Sequence, residues 1–276
     1  MAPQKARPDT SMTVPVNGIT LAFDAVGPPG GPPVMLIHGH PFNRRMWEPQ
    51  ARALAAAGYR AITPDLRGYG DSEVVPGTTM LSDFAADTAA ILDHLDLGRA
   101  VIVGLSMGGQ IAMEFLRQYP RRVNALILAD TSPVPDDEAG RAFRRTLADR
   151  LIAEGMDGYA TDVIDKMIRP EHVTGMPEVA ELVLDMMRTT APQGAAAALR
   201  GRAVRPDYRQ TLATAGVPTM IVVGVDDPYT PVAEATMMHQ LVGGSELVVI
   251  DGAGHLPNLE RPAQFNDALL RFLGTL

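Results

Sequence analysis

Val101-Ile102-Val103-Gly104-Leu105-Ser106-Met107-Gly108-Gly109-Gln110 changes character at its serine. Before Ser106 lies a β-branched apolar block suited to a buried strand; after it, Ile111-Ala112-Met113-Glu114-Phe115-Leu116 has helical spacing. Strand, sharp turn and helix in that order, with Gly-x-Ser-x-Gly at the junction, form the pattern of a nucleophile elbow. There a strained turn lifts the serine hydroxyl above the sheet edge. Gly104 and Gly108 stand where any side chain would collide as strand and helix close together. A glycine-rich turn with an incidental serine has the same five residues, so the reading requires a base and an acid elsewhere in the chain.

Outward from the elbow the same alternation recurs. Upstream, residues 13–24 read as two short strands about an Asn17-Gly18 turn, a hairpin at a sheet edge. Val34-Met35-Leu36-Ile37 is the continuous apolar run of a buried parallel strand and ends on His38-Gly39-His40-Pro41. A helix over about 46–57 closed by Gly58 and a strand at 59–64 follow. Asp65-Leu66-Arg67-Gly68-Tyr69-Gly70-Asp71-Ser72 is a loop, and Ser82 is expected to cap a helix with Phe84, Thr88, Ile91, Leu92 and Leu95 on its apolar face.

Downstream, residues 123–129 form another buried strand, ending at Asp130. From Ser132 to Leu212 no strand is expected; helical segments are separated by Gly155, Pro170, Gly175, Pro177, Pro192 and Gly194. Phe143, Leu147 and Leu151 give the first of these an apolar face. Strands at 218–224 and 246–250, with helices at 232–241 and 263–273, complete the chain. The expectation is an α/β fold, a mostly parallel twisted sheet with helices on both faces. Its core comprises residues 13–131 and 213–276, with a helical cap inserted at 132–212.

Composition narrows the function classes. The 24 Lys+Arg residues against 32 Asp+Glu give a formal charge of −8, which argues against a nucleic-acid partner. The absence of cysteine excludes disulfides, thiolate metal sites and a cysteine nucleophile. The first dozen residues are polar, and no apolar run approaches the roughly 18 residues of a membrane span. Neither signal peptide nor membrane partner is expected, and the cytoplasm is the default location. Oligomeric state is not readable. No His-Glu-x-x-His or clustered ligand spacing is present, and the elbow lacks the lysine of a phosphate-cradling loop, so neither metal nor cofactor is expected.

In a parallel sheet covered on both faces, sites form at the carboxyl ends of the strands. A serine nucleophile needs a histidine base oriented by a carboxylate. Of six histidines, His94, His172 and His239 lie in helical or cap segments, whereas His255 follows the last strand directly in Asp251-Gly252-Ala253-Gly254-His255. His255 is therefore the expected base. Asp227 is the favoured acid, three residues beyond Gly224, with Asp130 and Asp226 as alternatives. The oxyanion of an ester-cleavage intermediate needs backbone N–H donors. Met107, first in the elbow helix, and His40, in the loop after residues 34–37, are the expected pair. The His40 side chain is read as projecting into the entrance, and His38 as a structural link between loops.

His38-Gly39-His40-Pro41 with Trp47 downstream, residues 65–72, Gly104-Leu105-Ser106-Met107-Gly108-Gly109, Gly224-Val225-Asp226-Asp227 and Gly252-Ala253-Gly254-His255 together resemble the α/β-hydrolase superfamily over roughly residues 14–273. The resemblance implies the α/β-hydrolase fold and Asp227 as the acid. Within the superfamily the chain is similar to small esterases, cofactor-free haloperoxidase-type perhydrolases and 3-oxoadipate enol-lactonases, from which His40 departs where a hydrophobic residue is common. The implied activity is cleavage of small to medium, mainly uncharged carboxylic esters or lactones through an acyl-enzyme. Enol-lactonase-like activity and perhydrolysis are the alternatives, and hydroxynitrile lyases and ligand receptors of the same fold are rivals of another class. Met156, Met167, Met176, Met186 and Met187 mark the cap as a source of adaptable apolar surface or of packing.

Overall fold

The computed structural model describes residues 11–276. The amino-terminal stretch in which no signal peptide is expected lies, up to residue 10, outside the described residues. Eight strands, β1 (Ser11–Val16), β2 (Ile19–Val26), β3 (Pro33–Ile37), β4 (Arg60–Pro64), β5 (Ala100–Leu105), β6 (Val123–Ala129), β7 (Thr219–Gly224) and β8 (Glu246–Ile250), make one sheet in the order β1-β2-β4-β3-β5-β6-β7-β8. β1, β2 and β4 pair antiparallel and the remainder parallel. Asn17 and Gly18 adopt φ of 49° and 80°, the two positive values that a two-residue hairpin turn needs to match the strand twist.

The helices in chain order are α1 (Glu48–Ala56), α2 (Leu81–His94), α3 (Met107–Gln118), α4 (Glu138–Glu154), α5 (Asp157–Met167), α6 (Pro170–Gly175), α7 (Pro177–Thr189), α8 (Pro192–Arg202), α9 (Arg209–Ala213), α10 (Val232–Leu241), α11 (Pro257–Glu260) and α12 (Pro262–Leu273). Period-two side-chain alternation splits each apolar strand between two cores. On β5, Ile102 joins Met35, Phe84, Ile111 and Phe115 beneath α2 and α3. Val101, Val103 and Leu105 point the other way and pack with Leu54, Phe265 and Leu269 of α1 and α12. Burial on both faces is why these strands read as unbroken apolar runs.

Between β6 and β7 the chain forms α4 to α8 and the short α9, with no strand. α4, α5 and α8 share a small core of Ala148, Leu151, Met156, Tyr159, Ala195, Ala196 and Leu199. The inserted helices rest on the loops at the carboxyl ends of the strands. Thr190 Oγ1 donates to Pro41 O at 2.9 Å after β3, and α8 meets the β4 loop backbone to backbone, where a Cβ on Gly194 would lie 2.0 Å from Gly68 O. After β8, the His172 ring bonds Glu260 at 2.7 Å.

Two local expectations change, and one choice between readings is decided. Ser82 lies inside α2 rather than capping it; the helix starts after Met80, whose orphan N–H is taken by the Asp83 carboxylate at 2.8 Å. Phe143 is 66% exposed because α4 turns Ala148 and Leu151 inward instead. Met167, Met186 and Met187 are buried in the main core with α12 and the sheet, so these three thioethers serve packing. Among the described residues, no helix is long and apolar enough to cross a membrane.

Candidate active site

The parallel register aligns the carboxyl ends of four adjacent strands: Leu105 pairs with Ala129, Ala129 with Val222, and Gly224 with Ile250. Ser106 and Asp130 therefore leave the sheet side by side, and the loops after β7 and β8 leave next to them. Ser106 has φ 56° and ψ −115°, a strained left-handed conformation of a kind that costs about 1–3 kcal/mol. The surrounding backbone fixes it: Ser106 N–H donates to Ala129 O at 2.9 Å, and Thr131 Oγ1 donates to Ser106 O at 2.7 Å. Gly104 and Gly108 make the turn possible. A Cβ on Gly104 would sit 2.1 Å from Gly108 O, and one on Gly108 would sit 2.1 Å from Ile37 O. Ser106 is the half-buried member of an otherwise buried turn.

His255 and Asp227 meet at this edge. The His255 ring donates from Nδ1 to Asp227 Oδ2 at 2.8 Å, which leaves Nε2 unprotonated in the neutral ring. Asp227 Oδ1 accepts the Tyr229 N–H at 2.8 Å, Oδ2 also accepts the Thr230 hydroxyl, and the Tyr229 ring stands edge-on to His255 at 5.0 Å. Burial pushes the Asp227 carboxyl upward, but the imidazole, the Thr230 hydroxyl and the Tyr229 amide outweigh it and hold the group below the ordinary carboxylate range. Glu260 fixes the His255 loop: Oε1 accepts Gly254 N–H at 2.8 Å, while Oε2 accepts Arg169 N–H at 2.8 Å and the His172 ring. Ser106 Oγ makes no hydrogen bond with the described side chains, His255 included.

The competing carboxylates separate clearly. Asp226 turns outward to Arg169 at 3.2 Å. Asp130 lies inside the site, its ligating atom within 4.8 Å of those of Asp227 and His255, but it does not bond the ring. Its Oδ1 accepts Gly224 N–H at 2.9 Å and its Oδ2 has no partner. Burial, and then the neighbouring Asp227 charge, push the Asp130 carboxyl well above its usual range, which disfavours its charged form. Asp130, Asp227 and His255 are also the one group of described residues spaced to hold a metal ion. A cation there would compete with the Asp227–His255 and Thr230–Asp227 bonds already made.

The loop after β3 approaches from the other side. Gly39 passes so close that a Cβ there would lie 3.3 Å from Ser106 Cβ. His38 links loops as expected: Nδ1–H donates to Gly39 O at 2.8 Å and Nε2 accepts Leu66 N–H at 3.0 Å. The backbone N–H groups of His40 and Met107 have no acceptor among the hydrogen bonds of the described residues. The His40 side chain does not project into an entrance; it is buried, with Nδ1 2.8 Å from the Tyr69 hydroxyl and Nε2 unpaired. Burial first, then the charges of Arg202 and Arg144, drive its pKa well below the usual imidazole value. Tyr69 and Gln110 lie inside the motif stretches but drew no role there, and Thr230 and Arg202 drew none either, because only tertiary packing brings these side chains to His40, Asp227 and one another.

A sequence model of the alpha/beta hydrolase fold matches residues 32–262. The chain is 30% identical to 3-oxoadipate enol-lactonase 1 of Acinetobacter baylyi over 90% of its own length and 91% of the relative's. A thermophilic esterase from Thermogutta terrifontis, solved with malate bound, superposes with a TM-score of 0.92 at 37% identity, covering 96% of this chain and 98% of that one. The enol-lactonase from Burkholderia xenovorans LB400 gives a TM-score of 0.89 at 25% identity, covering 95% and 100%.

Proposed function

Since the chain belongs to the alpha/beta hydrolase fold family, we propose that it is a serine hydrolase that cleaves small to medium carboxylic esters or lactones through an acyl-enzyme. The observation that carries this reading is the Asp227–His255 bond of 2.8 Å at the same sheet edge as the strained Ser106 turn. Ser106 Oγ attacks the acyl carbonyl and its proton passes to His255 Nε2. Asp227 holds the ring in the tautomer that leaves Nε2 free and stabilises the imidazolium that forms. The unpaired amides of His40 and Met107 receive the oxyanion, aided by the positive end of α3. His255 then gives its proton to the departing alkoxide, forming the acyl-enzyme. In the second half, a water gives its proton to His255 while attacking the acyl carbon, and Ser106 Oγ leaves with that proton as the acid is released. No cofactor is needed for these steps. Residues 132–212 form the cap over residues 13–131 and 213–276, consistent with contacts to the loops after β3, β4 and β8.

The test is hydrolysis of p-nitrophenyl acetate and butyrate by the wild type and Ser106→Ala, with hydrogen peroxide as a competing nucleophile. The wild type is expected to turn over repeatedly, and Ser106→Ala to lose about 10⁶-fold in kcat. Undiminished turnover by Ser106→Ala sinks the proposal. A single equivalent bound without turnover identifies a receptor, and peroxide-dependent oxidation identifies perhydrolysis.

A further inference from the structure

Where the inserted helices face the elbow, they carry more arginine than carboxylate. Arg144 and Arg205 converge on one acid: Arg144 grips both oxygens of Asp136, and Arg205 approaches it to 2.8 Å. Arg202 lies among them, 8% exposed, with no carboxylate partner among the described residues. Its Nε–H donates to Gln110 Oε1 at 3.0 Å, and Nη1 and Nη2 find no acceptor. The similarly buried Arg44, by contrast, faces Asp24, Asp65 and Asp71. Three guanidinium groups against one carboxylate leave two positive charges in excess in a water-poor region. Buried charge in that state is costly until an anion enters.

The position of the unpaired guanidinium matters as much as its charge. Gln110 follows Ser106 by one turn of α3, about 6 Å along the axis, and its N–H donates to Ser106 O at 3.2 Å. Besides touching Gln110, Arg202 lies near enough to act electrostatically on His40, Tyr69 and Tyr159, and His40 and Tyr69 are themselves joined at 2.8 Å. Gln110 engages Nε, the back of the guanidinium. The two Nη groups remain as a planar fork matched to two carboxylate oxygens. His40 Nε2, also buried and unpaired, is a second unused polar group in the same neighbourhood.

We propose that Arg202, reinforced by Arg144, is the receptor for a carboxylate on the substrate, so that preferred substrates are small esters or lactones bearing a free carboxylate a few bonds from the scissile carbonyl. This rests on the hydrolase reading above and replaces the mainly uncharged substrate expected from the sequence. Asp136 holds Arg144 and Arg205 in place, while Arg202 is left to the ligand.

The test compares isosteric pairs by proton release at low ionic strength: monomethyl glutarate against methyl pentanoate, and γ-butyrolactone-γ-carboxylate against γ-valerolactone. The wild type is expected to favour the charged member by about tenfold or more in kcat/KM. Arg202→Met lowers that ratio by about 30-fold or more, and Arg202→Lys, keeping the charge but losing the fork, lowers it less. Melting curves accompany each variant; if Arg202→Met does not fold, the Arg202→Lys ratio decides. Binding is read separately as glutarate-induced thermal stabilisation of Ser106→Ala, expected to vanish when Arg202→Met is added. Preference for the neutral member, or a ratio unchanged within twofold on substitution, overturns the proposal while leaving the hydrolase reading intact. Arg202-dependent glutarate binding without turnover of any ester or lactone does the opposite.

Discussion

Asp130 and Asp227 offer two carboxylates to one histidine, and replacing each by asparagine separates their roles. In Asp227→Asn the amide cannot accept the His255 Nδ1–H while also keeping both its other bonds, so the ring turns to the wrong tautomer and Nε2 ceases to be a base. Such a change lowers kcat by about 10⁴-fold, which at 1.36 kcal/mol per decade is about 5.4 kcal/mol of transition-state stabilisation. Asp130→Asn has a different expected outcome. The asparagine oxygen keeps the Gly224 N–H bond of 2.9 Å, its amide group takes the place of the unpartnered Oδ2, and a neutral side chain suits a buried position that already disfavours the carboxylate charge. Activity should stay within about threefold, or roughly 0.7 kcal/mol. The assay is kcat/KM for p-nitrophenyl butyrate at pH 7.5 with a melting curve for each variant. A loss beyond 100-fold in Asp130→Asn, with Asp227→Asn within tenfold of wild type, refutes the assignment. A loss of only about 100-fold in Asp227→Asn that deepens in the double variant means that Asp130 has turned to take over the ring.

Acid titration tests the same pair through stability. The folded Asp227 carboxyl lies below its unfolded value, so its contribution is present above about pH 3.9 and fades as pH falls through the folded value; the stability gap between wild type and Asp227→Asn in urea should close below about pH 4. Asp130, raised by burial, has the opposite sign: its contribution is complete below about pH 3.9 and is lost as pH rises, so Asp130→Asn should match or exceed wild-type stability at pH 8. Gly108→Ala places a methyl group 2.1 Å from Ile37 O and 2.8 Å from His38 O, against backbone that cannot yield, and should cost about 3 kcal/mol or more, read as a fall in Tm of roughly 6–12 °C. Glu260→Gln removes an acceptor from a carboxylate that serves Gly254, Arg169 and His172; Tm should fall by roughly 4–10 °C and kcat by about tenfold, because the loop holding His255 loosens.

What the sequence makes legible follows from where the constraint sits. The elbow is written in composition because Gly104 and Gly108 meet backbone at 2.1 Å, a contact no side chain survives, so the glycines themselves record the approach. His255 is legible because strand order alone delivers it to the sheet edge. Asp130 and Asp227 satisfy that same rule, and only side-chain direction, with one oxygen turned to the ring and the other to Gly224, separates them. Arg202 lies a step further from the sequence: an arginine in a helix reads the same whether or not a carboxylate answers it. Yet the helix that carries it was less featureless than its alanines suggested. A Cβ on Gly194 would meet Gly68 O at 2.0 Å and one on Gly201 would meet Thr79 O at 1.8 Å. Those two glycines let α8 press against the chain after β4, beside Tyr69, and so deliver the next residue, Arg202, to Gln110 on the first turn of α3. The site of the unpaired charge is thus set by the side chains its neighbours lack, a constraint visible in the sequence only once the opposing backbone is known.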